Sequence, residues 1–394
     1  MSGATPIVSR IARGAKHILS RDKSRAQKLL AGLHPHGPLA FDARRQGNNR
    51  SLPVGESINV IDSGVTYTTT VGVGNPAQNF TLLIDTGSSN TWIGAGEPFQ
   101  PTSTSQNTGN QVNVSYGSGS FSGTEYIDTV TLGPGLVIPQ QSIGVASTAR
   151  GFSNGIDGIL GIGPVDLTQG TVDSGSNVPT VLDNLFNSGL ISTESIGISY
   201  TPTTGSGQTA NGELTFGEVD PSKFIGEIEY VPITSTSAAS HYWGIDQSIT
   251  YGDGIPILST SAGIVDTGTT LLLLASDAFG AYQQATGATM DSTTGLLTIT
   301  QEQYDGLESL YFQIGNATFE LTPNAQIWPR ALNTTLGGDP SKIYLVAGDN
   351  GSNSGSGLDF INGFAFLQRF YSVYDVTNSR VGIAKTEFTD AITN

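Results

Sequence analysis

Cysteine is absent from this chain of 394 residues. Its absence excludes a disulfide framework and a zinc–thiolate centre, while leaving the compartment undecided. Only four histidines occur, His17, His34, His36 and His241, and three of them stand in the first fifty residues. They assemble neither a metal cluster nor a Ser-His-Asp arrangement. Charged residues make up only 13% of the chain, and no apolar run has the length of a transmembrane helix. The N-terminus also lacks the apolar core of a secretory signal, so an exported form is expected to have lost its signal already.

What is abundant is glycine, with 51 residues, well above the usual share of about 7%, together with serine and threonine. Short apolar or alternating runs, such as Thr81 to Ile84, Thr129 to Leu132 and Phe370 to Tyr374, recur between Gly, Pro and Asn clusters. That pattern predicts a mainly β protein with many turns. Helices are expected to be few: Pro179 to Ser188 stopped by Gly189, Ser276 to Thr286 stopped by Gly287, and Thr300 to Leu310 opened by a Thr300/Gln303 capping box.

Charge divides the chain. Residues 1–50 hold ten Lys/Arg against two Asp/Glu, and residues 51–394 hold seven against thirty-one, giving formal balances of +8 and −24. In the first part Ile11, Ala15, Ile18, Leu19, Ala26, Leu29, Leu30 and Leu33 follow rough helical spacing until His34 to Pro38 breaks it. A basic helical pro-segment lying over an acidic body is the favoured reading. A mitochondrial-type targeting peptide and a membrane-surface helix are its rivals. The basic run lacks the interleaved aromatics of a nucleic-acid module, and the acidic body would repel phosphates, so no nucleic acid partner is expected; with no spanning segment, no membrane partner is expected either. The acidic balance, a pI near 4.4 and six Asn-X-Ser/Thr sequons at Asn49, Asn79, Asn113, Asn316, Asn333 and Asn350 fit a secreted protein, with a vacuolar location as the alternative.

Two copies of one phrase carry the chemistry. Ile84-Asp85-Thr86-Gly87-Ser88 and Val265-Asp266-Thr267-Gly268-Thr269 each place an Asp directly after an apolar run. A carboxylate at the end of a buried strand is costly without partners, so two in matching settings point to one paired site. Gly87 and Gly268 leave room for a substrate backbone, and the Thr hydroxyls can hold the turns. Between the copies, Gln111 to Phe121 alternates into a Gly/Ser tip and predicts a β-hairpin, which taken alone is an ordinary one. Trp92 alone reads as a core aromatic.

These residues resemble the pepsin-like aspartic proteases, most closely their secreted basidiomycete type, from about Ser51 to the C-terminus. The specific features are Asp85-Thr86-Gly87-Ser88, Trp92, Tyr116-Gly117, Asp157-Gly158-Ile159-Leu160-Gly161, Asp266-Thr267-Gly268-Thr269 and the stretch Gly357 to Asp375. The resemblance implies a bilobal fold with a cleft, lobes at 51–226 and 227–394, and one Asp and one apolar-apolar-Gly loop per lobe. Those loops are Ile159-Leu160-Gly161 and, less regularly, Ile361-Asn362-Gly363. Asn362 replaces an apolar residue and Phe364 stands where Asp is common, departures shared by the basidiomycete type.

By the same resemblance Asp85 and Asp266 are catalytic, and Ser88, Thr269 and Trp92 support them; simple turn stabilisation is the other reading of Ser88 and Thr269. Gly87, Tyr116, Gly117, Ser118, Gly268 and Thr270 would contact substrate, the Tyr116 hairpin closing as a flap. The implied activity is acid endopeptidase action from a zymogen, with a preference for bulky apolar residues beside the cut, no metal and no cofactor. Expected partners are protein or peptide substrates, pepstatin-type inhibitors and the chain's own pro-segment, on a monomer. A non-catalytic member of the fold that binds protein or glycan is the alternative. Acidification is expected to free the pro-segment, with self-cleavage between Ala43 and Leu52.

Overall fold

The structure is a computed structural model that describes residues 17–31, 56–62, 66–116, 119–152, 155–175, 177–203 and 209–394. The expected cleavage region and the flap residues Gly117 and Ser118 lie outside the described residues, as do Ile11, Ala15 and Leu33 of the predicted helical pattern.

The alternating runs form strands, and the described strands join into sheets of thirteen, seven and three. Gln78–Asp85, Ser120–Gly133 and Phe370–Asp375 contain the three runs singled out in the sequence. The hairpin of Gln106–Ser115 and Ser120–Gly133 pairs Ser115 with Ser120 across its tip. Ile225–Pro232, Arg380–Lys385, Phe370–Asp375, Ser195–Ser199, Thr209–Phe216 and Glu56–Asp62 follow one another across an antiparallel run. This run brings the end of the chain back onto its first half and joins two β bodies, so the fold is mainly β and bilobal. The expected boundary at 226/227 falls inside the strand Ile225–Pro232.

Each body supports its Asp in the same way. Gln78–Asp85 runs parallel to Gly158–Gly161, which runs antiparallel to Trp92–Ile93. In the other body, Ile255–Val265 runs parallel to Phe360–Asn362, which runs antiparallel to Leu272–Leu274. Thus each carboxylate ends a strand fixed by an apolar-x-Gly segment beside it.

Two predicted helices form where expected. Val181–Asn187 opens on a Thr180/Asp183 capping box, and Ser276–Thr286 ends at Gly287 in the left-handed region. The third is a correction: the Thr300/Gln303 box forms, but the helix is only Gln301–Asp305. Gly306 interrupts it, and Leu310–Ile314 is a strand whose Leu310, Phe312 and Ile314 face the core. Period two wins there because both neighbouring strands offer hydrogen bonds and an apolar face.

Two of the sequons are closed by folding. Asn333 donates to Lys342 O at 2.7 Å and Asn350 to Leu358 O at 2.9 Å, both side chains fully buried, whereas Asn79, Asn113 and Asn316 are exposed. No described helix is long and apolar enough to cross a membrane.

The basic segment supplies the helix Ile18–Leu30. Its buried side chains are Ile18, Asp22, Arg25, Ala26 and Leu29, at helical spacing along one stripe. Ile18, Ala26 and Leu29 join an apolar cluster with Tyr242, Leu271, Leu273, Leu296 and Trp328 from the second half of the chain. Tyr242 donates its hydroxyl to Leu29 O at 3.0 Å, and burial pushes its pKa up to about 12.

Candidate active site

The two Asp-Thr-Gly turns meet face to face. Thr86 N–H donates to Thr267 Oγ1 and Thr267 N–H to Thr86 Oγ1, each at 3.0 Å, and Thr267 Oγ1 donates to Ile84 O at 3.0 Å. These bonds are wholly buried, so they lock one strand end against the other with little competition from water.

Each carboxylate is then oriented by its own turn. Gly87 N–H and Gly268 N–H donate to the Oδ1 atoms of Asp85 and Asp266 at 3.0 and 3.1 Å. Ser88 Oγ and Thr269 Oγ1 donate to the Oδ2 atoms at 2.5 and 2.6 Å. The two Oδ1 atoms therefore face each other and the two Oδ2 atoms face outward. Glycine is required for this closeness: a Cβ on Gly268 would collide with Asp85 Oδ1, and one on Gly87 would stand 2.7 Å from Asp266 Oδ1. Both Asp side chains are fully buried.

Arg25 from the N-terminal helix fills the space between them. Its Nη2 donates to Asp85 Oδ1 at 2.5 Å and to Asp266 Oδ1 at 3.0 Å, while Nε donates to Asp266 Oδ2 at 2.7 Å. Burial opposes the charge on Arg25, but the two carboxylates overcome it and raise its pKa. Burial raises Asp85, against the pull of Arg25. For Asp266 burial also pushes upward, but Arg25, Thr269 and Gly268 outweigh it and hold the group below the ordinary range. Asp85 also carries the repulsion of the Asp266 carboxylate, and Arg25 bonds Asp266 twice but Asp85 once.

The same helix covers other expected contact residues. Asp22 Oδ2 accepts the N–H groups of Thr270 and Leu271 at 2.9 and 2.8 Å, and Arg21 Nη2 donates to Thr270 Oγ1 at 2.8 Å. Lys28 Nζ reaches Ser115 Oγ on the hairpin at 2.5 Å. Trp92 packs against Phe121, with centroids 4.3 Å apart, and stacks more loosely on Tyr116 at 6.4 Å. Trp92 and Ser88 also make polar side-chain contacts with the Tyr116 hydroxyl, so Trp92 supports Tyr116 by packing and by a polar contact. Among the described residues no group of three or more His, Asp or Glu side chains could hold a metal.

Sequence reasoning missed Arg25, Asp22 and the partner of Asn362. The first two had a visible signal: an Arg and an Asp on the apolar stripe of a helix require buried partners. Asn362 pairs with Gln247 through reciprocal amide bonds, Asn362 Nδ2 to Gln247 Oε1 at 2.8 Å and Gln247 Nε2 to Asn362 Oδ1 at 3.2 Å. Asn362 O also accepts the N–H of Asp266 at 3.1 Å. The departure from an apolar residue is thus one half of a satisfied buried pair. Asn362→Leu or Gln247→Leu alone will destabilise the protein by about 1–3 kcal/mol, because the remaining amide loses its partner. The double Leu variant should recover much of that loss, measured by thermal unfolding as a double-mutant cycle.

With this geometry, the comparisons with known proteins agree. The eukaryotic aspartyl protease family model matches residues 66–386, and the chain belongs to that family. It is 61% identical to polyporopepsin of Irpex lacteus over 332 residues, which covers 84% of this chain and 97% of that protein. Cathepsin E of Rattus norvegicus is 33% identical over 399 residues, covering 91% of this chain and 92% of that protein. A crystal structure of an aspartic proteinase from Irpex lacteus superimposes with a TM-score of 0.84 at 60% identity, over 86% of this chain and 100% of that one. The chain is an aspartic-type endopeptidase acting on peptide substrates.

Proposed function

We propose that the chain is a secreted, monomeric zymogen in which residues 1–50 form the pro-segment, 51–226 the first lobe and 227–394 the second. Asp85 and Asp266 are its catalytic pair. One observation carries this reading: a single guanidinium nitrogen, Arg25 Nη2, lies within 3.0 Å of both Oδ1 atoms. After the helix leaves, a water on the same two oxygens is held by two carboxylates that cannot easily both ionise. The ionised member removes its proton, the nucleophile attacks the peptide carbonyl, and the protonated member stabilises the oxyanion. Proton transfer to the departing nitrogen then breaks the bond. Ser88 and Thr269 hold the carboxylates in register, Gly87, Gly268 and Thr270 line the substrate backbone, and Tyr116 with Gly117 and Ser118 closes over it. Pepstatin-type inhibitors would occupy the same cleft, and bulky apolar side chains would flank the cut.

The sign of the pH response follows from the closed site. A carboxylate held low in the closed form stabilises that form above its ordinary pKa, near about 4, and the stabilisation is lost as pH falls through the lowered value. Asp266 behaves this way through Arg25. Asp349 does so too through Lys23, whose bond helps hold it below the ordinary range; its bonds from Ser276 and Gly351 are made within the body in either form. Asp22, which the helix carries into a buried position and which burial raises, acts in the opposite sense: its ionised form disfavours closure and protonation relieves that cost. Release is therefore expected where Asp266 protonates, below about pH 4.

Incubating the full chain across pH tests the reading, with sequencing of the new N-terminus. Shortening between Ala43 and Leu52, accompanied by rising proteolysis, is expected only on the acid side. Neither shortening nor activity at any acid pH would overturn it.

A further inference from the structure

Beside the stripe that enters the cleft, a second stripe of the N-terminal helix runs along its wall. Leu19 lies over Gly348 and Gly295, Lys23 over Gly351, and Gln27 Nε2 donates to Asn350 O at 2.8 Å and Ser352 Oγ at 2.9 Å. The wall is continuous with the catalytic turn. Thr270 and Leu271 receive Asp22, Leu271 and Leu273 border Gly348, and Leu274 pairs in parallel register with Asp349.

Asp349 is built to receive a cation. Its Oδ1 accepts Ser276 Oγ at 2.6 Å and the Gly351 N–H at 2.8 Å, which fixes the carboxylate plane. Oδ2 is left facing the helix, where Lys23 Nζ meets it at 2.5 Å. The carboxylate keeps 26% of its side-chain surface exposed even with the helix in place. Leu274 lies four residues beyond Thr270, at most about 13 Å along an extended strand. A substrate strand bound on Thr270 spans that distance in about four residues.

We infer that Asp349 forms a cation subsite of the released enzyme, selecting a Lys or Arg side chain several residues from the cut, with Lys23 occupying that subsite before release. The inference rests on the departure of the helix proposed above. The subsite differs in kind from the apolar contacts expected beside the scissile bond, because a fixed carboxylate at a cleft rim discriminates by charge.

The test uses the full chain after acid processing and a set of peptides in which Lys or Gln is placed at each position around one cleavage site. At about pH 5, where an aspartate held below its ordinary pKa is ionised, one remote position should favour Lys by about two- to fivefold in kcat/KM, the range of an exposed ion pair. The preference should shrink with added salt and vanish in Asp349→Asn, while the all-Gln peptide is cleaved at the parent rate. Absence of a favoured position, or a preference that survives Asp349→Asn, overturns the inference while leaving the protease reading intact. Failure to cleave any peptide overturns both.

Discussion

Asp85→Asn will fold, retain the helix in its cleft and lose acid proteolysis by a factor of about a thousand or more, the scale on which positioned acid–base groups act. The substitution keeps the shape of the side chain but removes a group that, in the proposed mechanism, exchanges a proton with the shared water. Folding should survive because Arg25 keeps both of its contacts to Asp266, 2.7 Å from Nε and 3.0 Å from Nη2, and the Thr86–Thr267 lock is untouched. Acid incubation of the purified variant should yield no self-shortening and no cleavage of added protein. More than a tenth of the parent activity, with thermal unfolding unchanged, would remove Asp85 from the mechanism.

Arg25→Met should have the second largest effect, moving self-processing upward by about one to two pH units. Without the guanidinium, two buried carboxylates face each other beneath the helix, and the closed state loses three charge-assisted bonds. Breaking a buried ion pair by removing one partner costs about 3–5 kcal/mol. Part of that cost is avoided when the pair retains a proton to higher pH, so the helix is held less tightly and released earlier. Arg25→Lys serves as the folding control: it keeps the charge but loses the two-nitrogen geometry, and its processing should fall between the other two. Processing of both variants at the parent pH would show that Arg25 does not govern release.

Much of the architecture was readable because strand signals are local. Apolar residues before Asp85 and Asp266, and glycines after them, require buried strand ends followed by tight turns, and both occur. Ser276–Thr286 was readable for the same reason, its apolar spacing ending at a glycine. The error over Thr300 to Leu310 came from a correct start signal carried past a local stop at Gly306. Neighbouring strands decided that Leu310–Ile314 would pair. Asn362 looked irregular because its partner, Gln247, lies 115 residues away.

The sequence by itself determined that two equivalent carboxylates end buried strands and that a basic leader of opposite charge precedes an acidic body. It could not determine which basic residue would meet the pair, since Arg21, Lys23, Arg25 and Lys28 share one short helix. Only the tertiary structure decided that. Successive helical residues point about 100° apart, so docking by Ile18, Ala26 and Leu29 turns Arg25 onto the carboxylates, Arg21 onto Thr270, Lys23 onto Asp349 and Lys28 onto the hairpin.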